Sequence, residues 1–407
     1  MKKPEILSPA GNPEKLAAAF RFGADACYLS GKTFGMRSAA DNFTEEELSA
    51  ATEYAHGLGK KIYVTVNVLP HEDEYPALIR HLGFLGEAGA DGVIVADPGV
   101  MALAAEVCPG VAVHVSTQTS VTSSRAAEQY AKLGARRVVL ARELTLDEIR
   151  SIRKNVSREL ELEAFVHGSM CVSWSGRCLL SNYFTGRDAN HGRCAQPCRW
   201  NYRLFELEEE KRPGREERIG IVENDLGTFF MSSKDMCMIE HVPELIDAGI
   251  DSFKIEGRMK SAYYAAVTAN TYRMAVDACE KGLPYDPEWL SELEGVSHRQ
   301  YSTGFYFSDP SEDARIVTEP GYMREKIYAG TVDGTADGRM FITQRNRIAE
   351  GDEIELLTPG KTGIPFRALD MRDVEGAKID ACPHPLMKYS IKLPDGMTAR
   401  PGDMIRK

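Results

Sequence analysis

Up to residue 257 the chain repeats one pattern of apolar and polar positions. A stretch with helical periodicity ends in glycine, one or two residues follow, and a short apolar run rich in β-formers begins. The pattern reads AFRFGADACYL around Gly23, LGEAGADGVIV around Gly89, AKLGARRVVL around Gly134 and LIDAGIDSFKI around Gly249. Glycine just past a helix takes the left-handed conformation at little cost, and an unbroken apolar run suits a strand covered on both faces. Alternation of this kind predicts a parallel α/β architecture.

Eight such strands are predicted, at PEILSP, ACYLS, KIYVTVN, GVIVAD, VAVHVS, RRVVLA, LELEAFVH and SFKIEG. Asn12-Pro13-Glu14 reads as a helix start, with Asn as cap and Pro in the first turn. Thr44 with Glu47 three residues on fits a capping box. Eight βα units in about 260 residues match a TIM-type (β/α)8 barrel better than an open doubly wound sheet, although spacing alone does not prove closure. The barrel spans 1–258. After strand 7 a cysteine-rich insertion at about 168–251 far exceeds a normal βα connection. Within it, ELEEEKRPGREER reads as an exposed hairpin or loop, and MCMIEHVPELIDAG as a helix. Residues 259–324 form a helical and loop connection, with a long helix near 259–281. From 325 to 407, alternating runs with Asp-Gly turns predict a small C-terminal antiparallel β-barrel domain.

Composition narrows the class. Of 407 residues, 43% are hydrophobic and 27% charged, which is ordinary for a globular protein. No apolar run approaches the roughly 18 residues of a membrane span, and MKKPEILSPAG lacks the apolar stretch of a signal peptide. The expectation is a cytoplasmic protein with no membrane contact. A net charge of −11 excludes a generally basic nucleic-acid coat and leaves room for a local basic site.

Nine cysteines in such a chain are poor candidates for a disulfide framework. Cys27, Cys108, Cys237, Cys279 and Cys382 are scattered and read as small buried hydrophobes. Cys171, Cys178, Cys194 and Cys198 are grouped, separated by six, fifteen and three residues. Structural zinc sites use tighter knuckles at both ends, whereas a cubane iron–sulfur cluster is reached from separated loops. The residues alone therefore favour iron–sulfur, then zinc, then unligated thiols. The same segment carries Arg177, Arg187, Arg193, Arg199 and Arg203 against Asp188. Trp174, Tyr183, Phe184, Trp200 and Tyr202 are interleaved with them. Arginines mixed with aromatics suit phosphates and unpaired bases, so Arg177, Arg187, Arg193 and Arg199 are RNA-binding candidates. The alternative is that the aromatics pack around the cysteines.

Polar residues recur at strand ends, where a TIM barrel builds its active site: Ser8, Asn67, Asp97, Gln118, Arg142, His167, Lys254, Glu256 and Arg258. Arg142, Lys254 and Arg258 suit a carboxylate-rich small molecule, with Asn67 and Gln118 as further binding candidates. A Lys–Glu–Arg lattice closing the barrel end is the alternative. His167, Lys254 and Glu256 are the acid–base candidates, His167 also fitting a role in orienting its loop. There is no G-x-S-x-G elbow, no phosphate-binding G-x-x-x-x-G-K-[ST] run, and HEDEY lacks the second histidine of a zinc-protease helix.

The run EAFVHGSMCVSWSGRCLLS resembles the signature of the collagenase-like peptidase family. LSPAGN, SSKDMCMIEHVPEL, SFKIEGRMKS and SHRQYSTGF extend the likeness over nearly the whole chain. SGRCLLSNYFTGRDANHGRCAQPCRW is similar to the tRNA hydroxylation branch of that family. The resemblance implies prephenate-dependent, oxygen-independent hydroxylation of the tRNA wobble uridine to 5-hydroxyuridine. It also implies a 4Fe-4S cluster on Cys171, Cys178, Cys194 and Cys198, and tRNA and prephenate as partners. A second protein of the same family is a further possible partner. Relatives that hydroxylate ribosomal RNA or ubiquinone precursors, peptidase activity, and RNA binding without catalysis are the rival readings.

Overall fold

The computed structural model describes residues 3–36, 41–171, 173–174, 178–187, 189, 193–200, 223–224, 227–228, 233–307 and 322–407. The four repeat glycines set its rhythm. Gly23, Gly89, Gly134 and Gly249 have φ of +106°, +74°, +97° and +79°, and each joins a helix to the next strand. The eight strands are β1 (Glu5–Pro9), β2 (Ala26–Leu29), β3 (Lys61–Val66), β4 (Gly92–Val95), β5 (Ala112–Val115), β6 (Ala135–Val139), β7 (Glu161–Ser169) and β8 (Ser252–Ile255). Each lies parallel to its predecessor, and β8 also pairs with β1. Ser252 stands opposite Glu163 on one side and Glu5 on the other, which closes the barrel.

Helices α1 (Pro13–Arg21), α2 (Glu45–Gly57), α3 (Tyr75–Glu87), α4 (Pro98–Val107), α5 (Ser124–Lys132) and α6 (Leu146–Asn155) alternate with the strands. The expected caps are present. Asn12 Oδ1 accepts the Lys15 N–H at 3.0 Å, and Thr44 with Glu47 closes a capping box. The long helix is Ala262–Glu280, which packs against α1 and β1. Strand side chains alternate between two environments, as a period of two requires. Ile6, Leu29, Val64, Val93, Val115, Leu162 and Phe253 meet the helices in one large apolar core. Leu7, Ala26, Tyr28, Tyr63 and Ile94 form a smaller cluster that occupies the alternate positions.

The insertion departs from expectation at MCMIEHVPELIDAG. Asp235–Cys237 is a strand, antiparallel to the end of β7, and only Val242–Asp247 is α-helical after a turn at Ile239–His241. A helix begun at Met236 would carry Pro243 inside it, where the missing N–H breaks the hydrogen-bond ladder. Proline is tolerated only in the first turn, where the structure puts it. The nine-residue β7 also outruns the barrel and offers a free edge to pair with. The charged stretch ELEEEKRPGREER lies outside the described residues.

The C-terminal strands form a six-stranded antiparallel sheet, in the order 364–367, 353–357, 404–406, 328–336, 339–344, 388–392. It curls around Ile342, Leu356, Tyr389 and Ile405. Strands 364–367 and 388–392 do not pair directly, but Arg372, just beyond the first, exchanges backbone hydrogen bonds with Ser390 in the second, so the sheet curls into the small antiparallel β-domain expected. It is fastened to the first domain by Arg406, which bonds both oxygens of Glu292 at 2.6 and 2.7 Å, and by the stacked rings of Tyr263 and Tyr328. Among the described residues no helix is long and apolar enough to cross a membrane.

Candidate active site at the barrel mouth

Charges are stacked inside the barrel. Arg137 on β6 reaches Glu5 and Glu161 at 2.7 Å and Glu163 at 3.0 Å. Lys254 on β8 lies 2.7 Å from the other oxygen of Glu163, with its ammonium 4.6 Å from the Tyr28 ring centre. Burial pushes the Glu5 carboxyl up, but the Arg137 charge and hydrogen bonds from Arg137, Tyr63 and Ser252 outweigh it and hold it below the usual range.

Above this lattice a cavity of about 110 Å³ opens at the carboxyl ends of the strands. The structure brings Asn67, Gln118, Arg142, Lys254, Glu256 and Arg258 together in its lining, and Cys171 joins them. Arg142 donates to the Ser169 carbonyl and to Glu256, both at 3.0 Å, and lies 3.7 Å over the Phe165 ring. Lys254 and Arg142 are therefore lattice members that also face the cavity. Three cations against the single carboxylate of Glu256 make the lining cationic, which suits an anionic ligand. Asp97 instead caps α4, accepting from Gly99 and Val100 at 2.8 and 3.0 Å. Ser8 is buried and does not line the cavity.

His167 is placed elsewhere. Lys254 pairs with Phe165, yet the next residue, Ile255, pairs with His167, so Val166 is an extra residue in β7. Such a bulge changes which face a strand's later side chains occupy. Phe165 lines the cavity, whereas the His167 ring sits among Tyr264, Tyr272 and Tyr301. Burial lowers its pKa to about 3, so the ring is neutral. Neither ring nitrogen has a partner among the described residues. An acid–base role in the cavity does not fit this placement. The adjacent Gly168 has φ +101°, and a Cβ there would strike the Glu256 carbonyl oxygen.

Four tyrosines hold this irregular rim. Tyr306, Tyr272, Tyr28 and Tyr264 donate to the carbonyls of Phe165, Val166, Ile255 and Glu256 at 2.6, 2.7, 2.9 and 2.8 Å. Sequence reasoning missed them, together with Thr65 and Ser116 in the lining. The signal for Thr65 was available: in KIYVTVN it stands two residues from Asn67, on the same face of a strand.

The cysteine loop begins at the cavity. Cys171 is exposed, and the preceding Met170 carbonyl accepts from the Ser233 hydroxyl at 2.8 Å. Cys178, Cys194 and Cys198 are half-buried. The helix Leu180–Thr185 is tied to the later turn, since Ala195 N–H donates to Ser181 Oγ at 3.0 Å. Cys194 Sγ accepts the Gln196 N–H at 3.4 Å, the kind of contact that tunes a ligating thiolate. Four thiols are a donor set that zinc or an iron–sulfur cluster accepts. Among the described residues, however, no three His, Cys, Asp or Glu side chains stand converged for a metal. Arg187 and Arg193 are exposed, as are Trp174, Phe184 and Trp200. Arg199 belongs to the turn Pro197–Arg199, and Arg177 lies outside the described residues.

Comparison with known proteins fits this arrangement over both domains. The family description "Peptidase family U32" matches residues 11–315, and "Peptidase family U32 C-terminal domain" matches 324–406. The chain is 39% identical to tRNA hydroxylation protein P1 of Bacillus subtilis, covering 100% of this chain and 95% of that protein. It is 36% identical to tRNA hydroxylation protein P of Escherichia coli, covering 94% and 92%. It is 32% identical to a protein named collagenase from Porphyromonas gingivalis, covering 90% and 89%. With its barrel and its C-terminal sheet each matched by the corresponding family description, the chain belongs to the collagenase-like peptidase family U32.

Proposed function

We propose that this chain is a tRNA-hydroxylating enzyme that converts the wobble uridine to 5-hydroxyuridine without dioxygen and in dependence on prephenate. The observation that carries this reading is the end-to-end similarity to relatives named for tRNA hydroxylation. The cationic cavity supports it, because a dicarboxylate such as prephenate would find charge-assisted donors in Arg142, Lys254 and Arg258. Exposed arginines and aromatics on the adjoining loop suit an unpaired anticodon base and its phosphates.

Cys171, Cys178, Cys194 and Cys198 would hold a 4Fe-4S cluster. Bound there, it would supply a one-electron redox site beside the cavity. Metal–thiolate bonds would organise the site, drawing together four thiols that share the loop beginning at the cavity. The peptidase reading draws on the collagenase relative. It would need a thiol with a nearby base, and His167, four residues before Cys171, sits among tyrosines rather than in the cavity lining. Nucleoside mass spectrometry of tRNA from a deletion strain tests the proposal. Loss of 5-hydroxyuridine-derived nucleosides, restored by the intact gene, is expected; an unchanged nucleoside profile would overturn it.

A further inference from the structure

The cavity has two chemically different walls. On one, Arg142 and Lys254 present positive charge. On the other, a pair of side-chain amides is locked in one orientation by a relay of hydrogen bonds. The Met36 backbone N–H donates to Asn67 Oδ1 at 3.3 Å, which turns the Asn67 amino group toward Gln118. Asn67 Nδ2 then donates to Gln118 Oε1 at 2.5 Å, and the Ser116 hydroxyl donates to the same oxygen at 3.3 Å. An amide oxygen accepts through two lone pairs, and both are now used. The Gln118 amino group is left as a pure donor on a cavity-lining residue. Flipping the amide would set two amino groups against each other at Asn67, whereas the Ser116 hydroxyl can bond either end, so Asn67 fixes the orientation.

We infer that Gln118 reads the edge of the target base and selects uracil against cytosine. The inference rests on the reading of this chain as a tRNA hydroxylase, and it assigns the neutral wall a separate task. Carboxylates and phosphates gain more from the cationic wall, where each hydrogen bond is charge-assisted. Once an anionic ligand holds the cationic donors, a neutral base edge is left the amide of the other wall. Uracil carries a carbonyl oxygen at C4, and cytosine carries an amino group at that position. A fixed N–H donor satisfies the first and confronts the second with another donor. A site built to give a hydrogen bond rejects a ligand that cannot take it. Single-stranded loops expose this edge, so no duplex has to be opened.

The test uses the purified full chain and two fluorescent RNA hairpins that differ only in one loop base, U or C. The parent is expected to bind the U hairpin about tenfold more tightly, and Gln118→Ala to bring the two within about twofold. Gln118→Glu presents acceptors to the cytosine amino group and is expected to reverse the preference. Asn67→Ala keeps the Gln118 amide but removes the donor that orients it, so it should narrow the preference even if Gln118→Ala folds poorly. A U-over-C ratio unchanged in Gln118→Glu and Asn67→Ala overturns the inference. Equal binding of both hairpins by the parent also overturns it, and the deletion-strain nucleosides then show separately whether the tRNA reading falls too.

Discussion

The Lys254 ammonium lies 2.7 Å from one oxygen of the Glu163 carboxylate, whose other oxygen takes a hydrogen bond from Arg137 at 3.0 Å. Glu163 is 0% exposed and Lys254 4%, so one buried carboxylate answers two buried cations. Removing one partner of a buried ion pair strands the other, at a cost of about 3–5 kcal/mol. Glu163→Gln is therefore expected to lower unfolding stability by about that amount in urea titration. A loss below about 1 kcal/mol, the range of exposed pairs, would show that water reaches the lattice.

The barrel was legible because its signals are local. Gly23, Gly89, Gly134 and Gly249 mark helix ends through a conformation that favours glycine, and the runs after them are apolar on both faces. Closure was legible only through the count of eight units, because it depends on Ser252 meeting Glu5 and Glu163 from distant parts of the chain. The cavity residues Asn67, Gln118, Arg142, Lys254, Glu256 and Arg258 were found from strand-end position alone. His167 shared that position and was misleading, since the extra Val166 has no sequence signature. The tyrosines that cap the rim were invisible because Tyr264, Tyr272 and Tyr306 come from elements after the barrel strands.

His167 supplies a pH test. Its pKa is lowered to about 3 by burial, against about 6.5 in an unfolded chain. Between these values the unfolded chain takes up a proton that the folded one refuses. The stability gained by keeping His167 neutral is complete above about pH 6.5 and is lost as the pH falls toward 3. Replacement by Phe suits the tyrosine-lined site and removes the titration. His167→Phe is expected to weaken the pH dependence of unfolding between pH 6.5 and 4 by up to about one proton, while tRNA hydroxylation persists. An unchanged slope, or loss of activity in a folded variant, would return His167 to the active-site candidates.

The cysteines divide into two chemical groups. Burial pushes the Cys382 thiol up to about 12 and the Cys27 thiol well above its usual value, so both stay protonated and apolar. Cys171 is exposed at the cavity, and Cys178, Cys194 and Cys198 are partly accessible. Anaerobically purified protein is expected to be brown, with about four irons and matching sulfide per chain. Ser at any of these four positions should lower both, whereas Cys27→Ala and Cys382→Ala should retain them. Stoichiometric zinc without sulfide in the parent would overturn the cluster assignment.

RNA binding has to overcome a net charge of −11, which repels tRNA at long range. A local patch is therefore required, and Arg187 and Arg193 are exposed on the loop that begins at the cavity. Trp174, Phe184 and Trp200 are exposed on the same loop and offer ring faces for unpaired bases. Each phosphate contact releases counterions, so log affinity falls with log salt by about 0.7 per contact for single-stranded nucleic acid. Changing both arginines to Gln is expected to weaken tRNA binding at low salt and to flatten that dependence by about 1.4, with iron content unchanged. Steady weakening with the parent's slope would mean that the loop had been disturbed rather than stripped of contacts. If affinity and slope both match the parent across a salt series, these arginines do not touch RNA. The polyanion must then be held elsewhere, with the cations of the C-terminal sheet next to be tested.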